Sequence, residues 1–250
     1  MNAGYEDVGI VFIGPIIGLP PSILAAFDDL RKEGVDIEGV DIFEGQKIKK
    51  NLLTVLGLTI FPGSHKRRVA FANSFDEKRL FKIILEKVNT LKKAGKKKII
   101  LGGMSGGFIF AARMAHQPPD QEIEPFAKQV QKDIKALFGI SPLIFYPSAV
   151  KQKGADLDLL PAHIPTLMIW GDADQIIPEG TIEHAQNYSQ KSSHIKSYVI
   201  RGSDINKKDQ TIKHQFFGGK DFIKPLKNIY WDALAEKIAL EKINDLIKMI

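Results

Sequence analysis

No cysteine occurs among the 250 residues of this chain, which excludes a disulfide framework, a thiolate nucleophile and a metal site built on cysteine. No apolar run approaches the length of a membrane span, so we expect no stable membrane insertion. The first seven residues contain neither the basic region nor the apolar region of a secretory signal. Together these absences predict a cytoplasmic protein.

Nothing in the composition suggests an unusual class of protein. An apolar fraction of 44% and a charged fraction of 26% are ordinary for a globular chain. The formal net charge of +6 comes from lysine clusters at predicted helix ends and in loops. These clusters lack the interleaved aromatic residues that stack on bases, so we expect no nucleic-acid partner. A solvated surface explains the charge, and attraction to anionic substrates or to an acidic membrane surface is the alternative.

Short apolar runs alternate with helix-forming runs along the chain. The predicted strands cover 8–13, 35–42, 98–102, 136–140, 165–170 and 195–200. The predicted helices cover 20–32, 76–94, 108–115, 122–135, 181–189 and 230–249. This alternation favours a mainly parallel sheet covered by helices on both faces. We therefore expect one domain over residues 1–250, an α/β fold built as a three-layer α/β/α sandwich.

Two irregular stretches, 45–74 and 142–164, interrupt the alternation. Each follows a predicted strand, at the edge of the sheet where open α/β folds bind ligands. They are therefore candidates for loops that shape a substrate site, and surface insertions without a role are the alternative.

The pentapeptide Gly103–Gly107 lies between a buried strand and a helix, and it matches the nucleophile elbow G-x-S-x-G. Its tight turn needs glycine on both sides of Ser105, because side chains there would clash between the strand and the helix. A packing turn is the alternative interpretation. A phosphate-binding loop is excluded, because Phe108 and Ile109 stand where it requires lysine and serine or threonine, and no register supplies G-x-G-x-x-G.

A serine nucleophile needs a general base, and the base needs an acid that orients it. The segment Trp170–Pro178, W-G-D-A-D-Q-I-I-P, follows a predicted strand and resembles the acid-bearing segment of α/β-hydrolases. The resemblance implies that Asp174 is the acid and that Asp172 orders the turn. Two carboxylates two residues apart also resemble half of a metal site, but nothing nearby in the sequence completes one.

His214 is the one histidine that follows the last predicted strand, where the family order of serine, acid and histidine places the base. Its surroundings, His214-Gln215-Phe216, resemble the H-x-F segment of the same family. The connection from Ile200 is longer than the loop usual in that family, and a surface histidine is the alternative. The remaining histidines lie outside this context: His65, His116, His163, His184 and His194. Of these, His65 or His163 could reach the site from a loop.

An oxyanion hole requires two donors. The N–H of Gly106, directly after the nucleophile, is the first candidate. The second belongs to the turn after the first strand, where Pro15 has no N–H and Ile16 does. This turn resembles E-I-F-G-L-N of the dienelactone-hydrolase-like branch, except that Pro15 replaces its glutamate. Ser105 also replaces the cysteine of dienelactone hydrolase itself.

The combined motifs resemble an α/β-hydrolase fold serine hydrolase of the dienelactone-hydrolase-like or esterase branch, without a large separate lid domain. The resemblance implies cleavage of a small-molecule carboxylic ester or thioester by Ser105, His214 and Asp174, with no metal and no cofactor. A lysophospholipid is a further substrate candidate. The alternative is a catalytically silent binding or regulatory protein of the same fold. The sequence does not indicate an oligomeric state.

Overall fold

The computed structural model describes ten ranges of the chain: 5–15, 18–44, 76–115, 128–142, 164–174, 177, 180–205, 212–213, 216–218 and 231–250. Ser105, Gly106 and Asp174 lie inside these ranges. Ile16 and His214 lie outside the described residues, as do nearly all residues of the two irregular stretches.

One parallel sheet forms the centre of the described structure. Its strands are β1 (Val8–Ile13), β2 (Asp36–Val40), β3 (Lys98–Met104), β4 (Ile134–Ile140), β5 (Thr166–Gly171) and β6 (Ile195–Ile200). They lie side by side in the order β2-β1-β3-β4-β5-β6, and every neighbouring pair is parallel. All carboxyl ends therefore meet at one edge of the sheet, where open α/β folds bind ligands.

Described helices lie between β1 and β2, β2 and β3, β3 and β4, and β5 and β6, as crossover connections of parallel strands commonly do. The helices are α1 (Pro21–Ala25), α2 (Asp28–Lys32), α3 (Glu77–Lys93), α4 (Gly107–Ala115), α5 (Thr181–Lys191) and α6 (Ala233–Lys248), and a 3₁₀ turn covers Gly202–Ile205. Aspartates begin the two longest helices: Asp76 accepts the N–H of Arg79 at α3, and Asp232 accepts two N–H groups at α6. Among the described helices, none combines the length and the apolar character needed to cross a bilayer.

Each face of the sheet carries its own hydrophobic core, because successive side chains of a strand point to opposite faces. In β1, Val11 and Ile13 pack with α3, α4 and α5, whereas Ile10 and Phe12 pack with α1, α2 and α6. The predicted three-layer α/β/α sandwich with a parallel sheet is therefore confirmed.

Two predicted helices differ from the structure. The helix predicted over 20–32 is broken at Ala26 and Phe27, and the break accompanies the packing of Phe27 against Phe12, 5.1 Å away between ring centroids. The helix predicted over 122–135 is wrong at its end, because Ile134 already belongs to β4 and pairs with Ile99 of β3. In both places tertiary packing overrides local helix propensity.

Candidate functional site

Ser105 lies in a strained turn directly between β3 and α4. Its φ is +53°, a left-handed conformation that residues other than glycine rarely adopt. Its backbone N–H donates to the carbonyl of Ile140 at the end of β4, at 3.0 Å, so the turn is attached to the neighbouring strand. Strain of this kind is concentrated at functional sites, where the surrounding structure maintains it.

The two flanking glycines are required by backbone contacts. A Cβ atom on Gly103 would lie 2.4 Å from the backbone nitrogen of Phe108, which is the crowding of strand and helix that the motif predicts. A Cβ atom on Gly107 would lie 2.4 Å from the carbonyl oxygens of Ile13 and Gly14. The start of α4 is therefore packed directly against the end of β1 and the turn that follows it.

That turn after β1 is well supported on the residues that the structure describes. Pro15 accepts a hydrogen bond from the N–H of Gly18 at 2.8 Å, across positions 16 and 17. The carboxylate of Asp41, just after β2, accepts the N–H of Leu19 at 3.1 Å. Gly106 and the turn predicted to carry the second oxyanion donor are thus neighbours, although Ile16 itself lies outside the described residues.

Asp174 follows β5 at the same edge of the sheet as Ser105. Its carboxylate oxygen Oδ1 accepts the N–H of Ile177 at 3.4 Å, and its side chain is half-buried. Only β4 separates β3 from β5, and two strand spacings correspond to about 10 Å. Ser105 and Asp174 therefore follow strands that lie about 10 Å apart, a spacing that would accommodate one further side chain.

The chain on either side of position 214 is attached to the rest of the fold. On one side, the N–H of Ile212 donates to Oδ1 of Asp172 at 2.6 Å, and Ala173 donates its N–H to the carbonyl of Ile212 at 2.9 Å. On the other side, Phe216 and Phe217 are fully buried in the core shared with α6. His214 lies between these two anchored points in the sequence and outside the described residues.

His194 is the one histidine whose side chain the structure describes. Its carbonyl accepts the N–H of Thr166 at the start of β5, at 2.8 Å. It therefore lies at the amino edge of the sheet, opposite Ser105, and takes no part in the candidate site. Among the described residues, side chains of histidine, aspartate and glutamate nowhere gather in a group of three that could hold a metal ion.

Two features of the site have no counterpart in the sequence motifs. Ser141, directly after β4, is fully buried and has a φ of +44°. The described chain therefore contains a second strained serine in addition to Ser105. Asp41 supports the turn after β1, and only its position directly after a strand could have drawn attention to it. The N–H of Ser141 donates to the carbonyl of Ile169 at 2.7 Å, and Asp41 accepts the N–H of Leu19, so both residues are held by tertiary contacts that no local spacing reveals.

No protein-family model matches the chain, and a comparison with curated protein sequences finds no match either. Solved structures share its fold over nearly the whole chain. A dienelactone-hydrolase-like promiscuous phosphotriesterase from metagenomic libraries has a TM-score of 0.59 at 10% identity, covering 96% of this chain and 85% of that one. A Klebsiella pneumoniae protein assigned as a dienelactone hydrolase has a TM-score of 0.64 at 12% identity, covering 99% and 89%.

A third similar structure is esterase 2 of Thermogutta terrifontis phosphorylated by paraoxon, with a TM-score of 0.58 at 17% identity, covering 99% of this chain and 84% of that one. This chain has the α/β-hydrolase fold. At identities this low, the structural likeness shows the fold alone. The chemistry has to be argued from the residues of the site. The resemblance to the dienelactone-hydrolase-like branch that the motifs suggested is therefore confirmed as a likeness of fold.

Proposed function

We propose that this α/β-hydrolase-fold chain is a serine hydrolase that cleaves a carboxylic ester or thioester through an acyl-enzyme intermediate. In this proposal Ser105 is the nucleophile, His214 the general base and Asp174 the acid that orients it. The N–H groups of Gly106 and Ile16 form the oxyanion hole.

The observation that carries the proposal is the conformation of Ser105. A serine with φ at +53°, between two glycines that admit no side chain, is the strained strand-to-helix turn that presents a nucleophile above a sheet. A turn that served only packing would favour glycine at this position, because glycine adopts positive φ without strain.

The surroundings of His214 and Asp174 support the other two assignments. Ile212 is hydrogen-bonded to Asp172 and Ala173, directly before Asp174. His214 is two residues after Ile212 in the sequence, and two residues of extended chain span at most about 7 Å. This short connection supports a base close to residues 171–174, the acid segment of this proposal. The gap of about 10 Å between the ends of β3 and β5 suits one imidazole with a hydrogen bond at each end.

The proposed reaction has two steps. In the first, the Ser105 oxygen attacks the carbonyl carbon while His214 removes the hydroxyl proton. His214 then protonates the departing alcohol or thiol, and the acyl group remains on Ser105. In the second, His214 removes a proton from water, and the resulting hydroxide attacks the acyl carbon. The carboxylic acid product then leaves as His214 returns a proton to Ser105. The negative charge of each tetrahedral intermediate is stabilised by the two backbone N–H groups.

The reactivity of a structural neighbour supports the choice of probe. Esterase 2 of Thermogutta terrifontis is phosphorylated by paraoxon, and an organophosphorus probe is therefore suited to this fold. We expect a fluorophosphonate to label the unaltered protein once per chain and to leave Ser105→Ala unlabelled. Ester hydrolysis should fall by about 10⁶-fold in the same variant.

Ser141→Ala is the matched control, because Ser141 is also buried and also has positive φ. It should retain labelling at Ser105. Failure of the unaltered protein to react, or equal labelling of Ser105→Ala, would contradict the proposal and favour a catalytically silent binding protein. A panel of esters and thioesters that varies acyl length and leaving group then identifies the substrate class, with short-chain carboxylic esters expected first and acyl thioesters or lysophospholipids second.

A further inference from the structure

Asp172 binds two points of the chain that lie 30 and 40 residues after it in the sequence. Its Oδ1 accepts the N–H of Ile212 at 2.6 Å, and its Oδ2 accepts the N–H of Gly202 at 3.4 Å. Gly202 begins the segment that follows β6, and Ile212 lies near the end of that segment. The segment therefore begins and ends beside one carboxylate, with nine residues between its two contacts.

Further contacts keep Ile212 against the end of β5. Ala173 donates its N–H to the Ile212 carbonyl at 2.9 Å. A Cβ atom on Gly171 would lie 2.2 Å from that carbonyl oxygen, so only glycine permits such a close approach. The Ile212 side chain is itself buried in the core on the α6 side of the sheet. Both backbone polar groups of Ile212 are thus bound by residues 172 and 173.

We infer that Asp172 is a positioning residue, which holds the chain that carries His214 beside the acid Asp174. This inference rests on the proposed function, since it assigns a purpose to the contact only if His214 is the general base. Asp172 touches no reacting atom in this account. It acts by binding both ends of the segment 202–212, so that the length of the segment has little influence on where residue 212 lies.

A carboxylate suits this role because it can only accept hydrogen bonds. Two N–H groups converge on Asp172, and an ionised carboxylate offers an acceptor oxygen to each of them. An asparagine would offer one oxygen and one NH₂ group, and the NH₂ group would face a second donor. The shorter bond, to Ile212, is the one that an asparagine can retain.

Asp204 provides a matched control inside the same segment. It is also an exposed aspartate, and its Oδ2 accepts a backbone N–H, that of Arg201, at 2.8 Å. This contact stays within the 3₁₀ turn and does not reach β5. Asp172→Ala and Asp204→Ala therefore remove the same kind of hydrogen bond, but only the first loosens the attachment to the acid segment.

The first measurement is steady-state ester hydrolysis by the full chain. A displacement of about 1 Å in a catalytic group can lower a rate about 10²-fold. We expect kcat of Asp172→Ala to fall by about that factor, with KM nearly unchanged. Asp204→Ala should keep both constants, and Asp172→Asn should recover most of kcat. Equal losses in the two alanine variants, or an unchanged kcat in Asp172→Ala, would overturn the inference.

The second measurement does not depend on activity. Hydrogen exchange resolved by residue should show the Ile212 amide protected in the unaltered protein and in Asp204→Ala, and exposed in Asp172→Ala. Unchanged protection in Asp172→Ala would overturn the inference even if the protein hydrolysed no ester. Failure of fluorophosphonate labelling would overturn the proposed function, whereas exchange of the Ile212 amide tests the contact of Asp172 itself, so the two failures are distinguishable.

Discussion

The elbow around Ser105 and the acid segment around Asp174 lie at the same edge of the sheet, but they are built in different ways. The elbow is held by residues within a few positions of Ser105 and by the backbones of the neighbouring strands β1 and β4. The acid segment is held by Gly202 and Ile212, which are 30 and 40 residues away from Asp172. Backbone crowding defines the first region, and hydrogen bonds to a side chain 30 and 40 residues away define the second.

The comparison teaches that a motif is recognisable in sequence where backbone contacts permit only one residue type. Gly103 and Gly107 must be glycine because a nearby backbone occupies the space of a side chain. The same requirement holds in any protein that contains this turn. The bond between Asp172 and Ile212 requires only some N–H group near a carboxylate. Many sequences satisfy that condition, so no short pattern predicts it.

Among the changes that test this comparison, the largest expected effect concerns the acid segment. Asp174→Asn should lower kcat by about 10⁴-fold, because an amide in place of the carboxylate stabilises the wrong histidine tautomer. The amide oxygen of the new side chain can still accept the N–H of Ile177, so the fold should survive. Steady-state hydrolysis and a thermal melt measure the two effects separately. Activity near that of the unaltered protein would show that Asp174 is not the acid.

The next effect concerns the elbow. Gly107→Ala should destabilise the protein by about 3 kcal/mol, because its Cβ would press on backbone atoms at the end of β1, which cannot easily move. Gly95→Ala is the control. Gly95 has a φ of +90° with no atom within 4 Å of the added Cβ, so that change should cost only about 1 kcal/mol of backbone strain. Urea unfolding measures both, and equal losses would contradict the role assigned to crowding.

The smallest effect separates strain from function at Ser105. Ser105→Gly should be more stable than Ser105→Ala by about 1 kcal/mol, since glycine adopts positive φ without strain. The difference corresponds to a melting temperature about 2–4 °C higher for a chain of this size. Both variants should be inactive. An alanine variant as stable as the glycine variant would show that the turn stores no strain.

The sheet and its order of strands and helices could be predicted almost entirely from the sequence. Each strand is a short run rich in apolar residues, and β1 begins and ends where the run Val8–Ile13 does. Predictions failed where local preference and tertiary contact disagreed. Residues 134 and 135 continue a helix-forming stretch, yet Ile134 pairs with Ile99 in the sheet, and no local pattern contains that partner.

The candidate site was predictable in part for the same reason. Ser105, Gly106 and Asp174 follow strands directly, so the parallel sheet brings them to one edge whatever the loops do. His214 follows a long connection, and the length of that connection alone suggested a poorly positioned base. The hydrogen bonds of Asp172 hold Ile212, two residues before His214, at the end of β5. The length of the connection is therefore no argument against a base in this part of the chain.

By itself the sequence determined the alternation of strands and helices, the glycines of the elbow and the order along the chain of the candidate residues Ser105, Asp174 and His214. These features depend on burial, on steric crowding and on neighbours along the chain. Only the tertiary structure decided that Ser105 has positive φ, that α4 packs on the end of β1, and that Ile212 is bound beside the acid segment. Those outcomes depend on contacts between residues far apart in sequence, which exist only once the sheet has formed.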